Sequence, residues 1–195
     1  MSLKDDLIYL RQLGGYIALS VVLFFGTALM GYLAASQDQE FIDLWLKELE
    51  MLKWIAALPP WKILIVIFAK NLLACAMAIL LGLGLGLIPM LVVTSNGIVL
   101  GVVSYQVIHN QGVAYLAAGI LPHGIIELPV VLVSIAMGLR LGHLLLLSLI
   151  GEKTDLRKEA FLCVRFLLLW AAPLLLLAAA IESFITPIAI SLASR

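Results

Sequence analysis

Hydrophobic residues fill five long stretches of the chain, over 13–35, 63–87, 90–108, 113–150 and 161–181, with short polar or glycine- and proline-bearing segments between them. A helix that crosses a bilayer needs about 20 apolar residues, because the hydrocarbon core is about 30 Å thick and each residue rises about 1.5 Å. The first stretch carries no charge. Lys4 and Arg11 before it imitate a secretion signal, but its apolar run exceeds the roughly 7–15 residues of such signals, so it reads as a retained span. The second is opened by Trp54, Trp61 and Lys62 at the interface and closed by Gly82, Gly84, Gly86 and Pro89. The fourth is too long for one crossing and carries Gly119, Pro122, Gly124 and Pro129. It predicts a re-entrant half-helix over 113–121 and then a full span beginning at Pro122, since a first turn tolerates proline. Such a break survives at membrane depth only when buried in protein or facing a water-filled cavity. In the fifth stretch Pro173 predicts a kink, because it removes one backbone hydrogen bond.

Between the first two spans the periodicity changes. Over 37–53, Phe41, Leu44, Trp45, Glu48, Leu49, Leu52 and Lys53 recur at helical spacing with acids between them, which predicts an amphipathic helix. It lies on the interface, caps the bundle or docks an extracellular partner. A loop over 151–160 alternates in charge and places Asp155 to cap the last helix. The whole reads as an all-α polytopic transmembrane bundle of about five spans, with a re-entrant or interrupted helix and one amphipathic outer-face helix, in a single domain over 1–195.

Composition agrees: 64% of residues are hydrophobic and 12% charged, against roughly 45–50% and about 25% in soluble domains, and the mean hydropathy is +1.15. Twelve basic and 12 acidic residues cancel, so no basic patch exists for nucleic acid. Cys75 and Cys163 lie in apolar runs and give no disulfide framework. Arg140, Lys153, Arg157, Lys158 and Arg165 form the richest basic region and are placed in the cytoplasm, with Arg140 read as a snorkelling anchor. Five crossings then put the N-terminus inside, and leave the acidic segment 36–60 outside. The setting is the cell membrane, with the lipid bilayer as first partner.

Charged groups inside lipid cost about 2.5–3.5 kcal/mol on insertion scales, so each needs a partner or a cavity. The candidates are Lys70, Asn71, Asn96, His123, Glu127 and Glu182. His123 and Glu127 are four residues apart, so a continuous helix brings them to one face, where they hold a metal, share a proton or brace the fold. In the structural reading Glu127 pairs with Lys70 while His123 bridges the broken backbone. In the functional one they form a proton or ion pathway. A metal would need a third ligand from Glu182 or His109, and the sequence assigns neither metal nor cofactor. Gly82 with Gly86, Gly97 with Gly101 and Gly138 with Gly142 are small-residue pairs one turn apart, suited to close helix packing within the chain or in a homodimer. Ser95, Ser104 and Ser134 have no general base at readable spacing, and no catalytic residue is assigned.

The string Leu121-Pro-His-Gly-Ile-Ile-Glu-Leu-Pro129, followed by Gly138-Leu-Arg-Leu-Gly142, resembles the signature of the stage II sporulation protein M family of integral membrane proteins. Asn71, Pro89, Asn96-Gly97 and Ile181-Glu-Ser-Phe-Ile-Thr-Pro187 extend the resemblance over roughly 62–187. The resemblance implies a membrane platform: the sporulation member acts with two peptidoglycan-degrading partners during engulfment and is not itself the hydrolase. Lys70 stands where the resemblance implies an uncharged or differently placed polar residue beside Asn71, and favours a pair with Glu127 or Glu182. The leading expectation is therefore a non-enzymatic scaffold with a membrane or cell-envelope protein partner. A small-solute or ion transporter or channel built on His123 and Glu127 is the alternative, and a metal-dependent intramembrane hydrolase stands third.

Overall fold

The computed structural model describes residues 3–50 and 57–194, and every regular element among them is helical. Helix α1 (Leu3–Gln12) passes into α2 (Gly14–Ala35) through Leu13, which keeps helical backbone angles and whose N–H still bonds the Tyr9 carbonyl at 3.1 Å. Then follow α3 (Gln39–Glu50), α4 (Pro60–Leu80), a tight 3-10 turn (Leu81–Leu83), α5 (Leu87–Gln111) and α6 (Val113–Leu149). The last three helices, α7 (Leu156–Phe166), α8 (Ala172–Ala180) and α9 (Thr186–Ala193), are joined end to end by π turns at Leu167–Ala171 and Ile181–Ile185. They form a single rod of 38 residues.

Among the described residues five helical stretches are long and apolar enough to cross a membrane: Gly14–Ala35, Pro60–Leu83, Leu87–Gln111, Val113–Leu149 and Leu156–Ala193. Their outward faces carry Val22, Met30, Leu73, Leu91, Leu168 and Ile188, all more than half exposed. Apolar surface on this scale suits lipid and not water. The protein is a multi-pass membrane protein.

The expected break in the fourth stretch is absent. α6 runs unbroken for 37 residues through both Pro122 and Pro129. Each proline withholds one N–H, but abandoning the helix would strand several more backbone groups in lipid. α6 is also the central helix, touching α2, α4, α5 and the α7–α9 rod, and is buried almost continuously from Val130 to Gly142. Packing therefore outweighs the local proline signal. Val113–Leu149 is neither re-entrant nor interrupted, and Pro122, Gly124 and Pro129 are not helix breaks.

The fifth span also differs, continuing past residue 181 to Ala193 and placing Glu182 inside the rod. Pro173 and Pro187 each sit just beyond a π turn. A proline ring clashes with the carbonyl four residues back, here Leu169 and Ser183, and both carbonyls lie within the widened turns. The N–H groups of Ala172 and Thr186 accordingly reach five residues back, to Leu167 and Ile181. Each π turn absorbs the proline without ending the helix.

Glycines set the closest helix contacts. A Cβ on Gly97 or Gly101 would strike α2 at Phe24, Thr27 or Ala28, while one on Gly138 would strike the Ala78 carbonyl and Pro89. Gly82 and Gly86 are not two steps along one helix face. Gly82 lies in the 3-10 turn, and Gly86 takes a left-handed conformation (φ 77°) that starts α5, so the turn folds against Gly138 and Gly142. All three pairs meet partners inside the chain.

α3 packs across one end of the bundle through Ile42, which is 2% exposed against Ala35 and Val102, with Phe41 and Trp45 beside it. Leu44, expected on the buried face, is 65% exposed. Leu52, Lys53 and Trp54 lie outside the described residues, as do the side chains of Glu48 and Leu49. At the other end Asp155 caps α7, accepting from the Lys158 N–H at 2.9 Å. Asp155→Ala is expected to cost about 0.5–2 kcal/mol and Asp155→Asn much less, read from unfolding in detergent; equal losses would show that the cap contributes nothing.

Candidate functional site

Two polar clusters sit in the apolar bundle, one toward each end. The first is built on α6, where His123 and Glu127 share a face one turn apart, as their spacing requires. The π turn at Ile181–Ile185 presents Glu182 to them. One donor atom from each of His123, Glu127 and Glu182 lies within 4.8 Å of the others, and all three residues are partly buried. The Thr186 hydroxyl, at the start of α9, stands 3.4 Å from His123 Nδ1. His109, the other candidate third ligand, does not join this group: it stacks on Tyr105 with ring centres 4.2 Å apart and is exposed at the end of α5.

His123 and Glu127 also line a cavity of about 530 Å³ between α2, α4, α5 and α6, together with Lys70, Asn71 and Asn96. Phe24, Cys75, Val92 and Ile135 form its apolar walls. Glu182 is not on the lining, although its carboxylate lies within 4.8 Å of the His123 and Glu127 donor atoms. Asn96 donates back to the Val92 carbonyl at 2.7 Å. Glu127 Oε2 is buried with no hydrogen-bond partner among the described residues.

The expected ion pair of Lys70 with Glu127 or Glu182 does not form. Lys70 is exposed at the cavity and is in no ion pair among the described residues. Glu127 and Glu182 therefore face each other without a bonded cation. If both are ionised, two unit charges within 4.8 Å of each other repel by about 3 kcal/mol or more at an effective dielectric near 20, and a half-buried setting adds a desolvation cost. Ser95 and Ser134 donate their hydroxyls to carbonyls of their own helices, Leu91 and Val130.

The second cluster was not anticipated. Glu159, 4% exposed on α7, accepts a hydrogen bond from the Tyr9 hydroxyl at 2.5 Å and pairs with Arg140 Nε at 2.9 Å. The Nε–H is not aimed at the oxygen, so this contact is an ion pair without an aligned hydrogen bond. The Arg140 guanidinium also lies over the Tyr9 ring, 5.5 Å from its centre. Arg140 is thus no snorkelling anchor but half of a buried pair. Burial, with Cys163 and Glu159 beside it, holds the Tyr9 phenol above its ordinary range, so it stays protonated and donates. Asp6 takes hydrogen bonds from Arg165 at 3.1 Å and Trp170 at 3.3 Å. Together these contacts tie α1 to the rod.

One signal for this cluster was in the sequence: Asp6, Tyr9 and Leu13 fall at i, i+3 and i+7, as do Glu159, Leu162 and Phe166. Their meeting is long-range and spacing does not fix it.

No significant match was found among curated proteins or solved structures. The sequence pattern described as stage II sporulation protein M matches residues 20–187, which reaches into all five spans and takes in His123, Glu127 and Glu182. The chain therefore belongs to the stage II sporulation protein M family.

Proposed function

We propose that this protein is a non-enzymatic carrier or channel of the cell membrane that passes a small ion or solute by way of the cavity beside His123 and Glu127. The observation that carries this reading is Glu127 Oε2, buried and without a partner next to a polar cavity. A carboxylate kept there only to brace helices would be expected to use both oxygens. Intramembrane ionisable groups facing a cavity mark ion and proton pathways. The basic residues Lys153, Arg157 and Lys158 beyond α6 and the acids of 36–50 at the opposite end support a cytoplasmic N-terminus.

A second reading has its own support. Glu40, Asp43 and Leu44 leave α3 with an exposed, mixed face at one end of the bundle, which suits a platform for a membrane or cell-envelope partner, as in the sporulation member of the family. A homodimer loses its main motive, since the glycine pairs are used within the chain.

The readings separate in proteoliposomes loaded with ion-sensitive dyes. Passage predicts flux in the wild type and its loss in Glu127→Gln, with that variant still monodisperse. Undiminished flux in Glu127→Gln, or none in the wild type for protons, monovalent and divalent cations, would remove the passage reading. In the second case, a cross-linked envelope protein on α3 would leave the platform.

A further inference from the structure

We infer that His123, Glu127 and Glu182 form a binding site for a divalent transition-metal cation of the zinc class. This deepens the passage reading by naming the ion, and rests on it only in sharing the site.

The donor set comes first. One imidazole and two carboxylates are ligands that Zn²⁺ and its first-row neighbours accept, whereas Ca²⁺ wants six to eight oxygens and Mg²⁺ a near-ideal octahedron. Geometry follows. Metal–ligand bonds of about 2.0–2.2 Å in a tetrahedron put donors roughly 3.5 Å apart, and the three here lie within 4.8 Å. Rotation about the flexible glutamate side chains covers that difference. The two carboxylates and a neutral imidazole match the charge of a divalent cation, and Lys70, although it lines the same cavity, makes no ion pair with either acid that the metal would have to displace.

Two independent features prepare the site. Glu127 Oε2 is a buried acceptor with no hydrogen bond to give up. The Thr186 hydroxyl beside His123 Nδ1 makes the kind of outer contact that fixes a ligand histidine. The π turn that widens the rod at Ile181–Ile185 places Glu182 and Thr186 on the same side of it, both toward His123. With three protein ligands, the fourth position is left to water or a passing solute, and the adjoining cavity supplies the way in.

The competing occupant is a proton shared between the two carboxylates, and one experiment decides. The full chain in lipid nanodiscs is stripped with chelator, dialysed against Zn²⁺, Co²⁺, Mg²⁺ or Ca²⁺, and assayed for bound metal per chain. The expected result is one Zn²⁺ or Co²⁺ per chain, little Mg²⁺ or Ca²⁺, and a visible Co²⁺ absorption of four-coordinate character. Affinity should fall at least about tenfold in His123→Gln and in Glu182→Gln. It should be unchanged in His109→Gln, which removes an exposed histidine elsewhere. No stoichiometric Zn²⁺, or equal losses in His109→Gln, would overturn the site, as would unchanged affinity in both ligand variants. Zn²⁺ binding without any flux in proteoliposomes would keep the site and end the passage reading; flux without Zn²⁺ binding would do the reverse.

Discussion

Replacing Arg140 with methionine is expected to destabilise the folded protein by about 3–5 kcal/mol, measured by denaturant unfolding in detergent. The side chains of Arg140 and Glu159 are 19% and 5% exposed, so the substitution leaves a carboxylate buried with the Tyr9 hydroxyl but no cation. Tyr9 does not rescue it. Burial keeps the phenol protonated, and a neutral donor offsets only part of the cost of an unpaired charge. The double variant Arg140→Met with Glu159→Gln should recover most of the loss, because a buried pair replaced as a unit is often near neutral. Its α1 should also stay docked, held by Asp6 to Arg165 and Trp170. A single variant within about 1 kcal/mol of wild type would mean that water reaches Glu159 and the cluster is not buried in solution.

The other large effect is expected at Gly138. A side chain there would run into the Ala78 carbonyl and the Pro89 ring, and Gly82 meets Gly138 in return. Both obstacles are rigid, so no rotamer change makes room. Gly138→Leu is expected to cost more than about 3 kcal/mol, beyond ordinary overpacking, because α4 and the turn leading into α5 must move away from α6 bodily. The readout is loss of the monodisperse species in size-exclusion chromatography. Gly26→Leu serves as the comparison, since a Cβ on Gly26 meets nothing within 4 Å, and it should behave as wild type. If both variants elute alike, the α4–α6 contact is looser than its glycines imply.

The five spans were legible because a bilayer imposes a length on any apolar helix, and residues 13–35 and 90–108 agree with Gly14–Ala35 and Leu87–Gln111 to within a few residues. The fourth was misread for a physical reason. Proline and glycine rules describe local cost, while Pro122 and Pro129 sit in a helix that every other span packs against. His123 and Glu127 were legible as a pair through their spacing. Glu182 stands out in the sequence as an ionisable residue in an apolar run, but its arrival beside them depends on a π turn that only the position of Pro187 hints at. Tyr9 and Glu159 are 150 residues apart. Neither charge pattern nor periodicity carries that kind of pairing, so Arg140 looked like an interfacial anchor.

A π turn amounts to one extra residue let into an α-helix. Deleting one residue between Ile181 and Ile185 would therefore restore ordinary helical winding and leave the helix itself intact. Everything on one side of the deletion would turn by about 100° relative to the other. Glu182 and Thr186, which now both approach His123 from this rod, would then point in different directions, although neither had been replaced. The polar end of this bundle is thus held in phase by the count of residues in the last helix as much as by their identity.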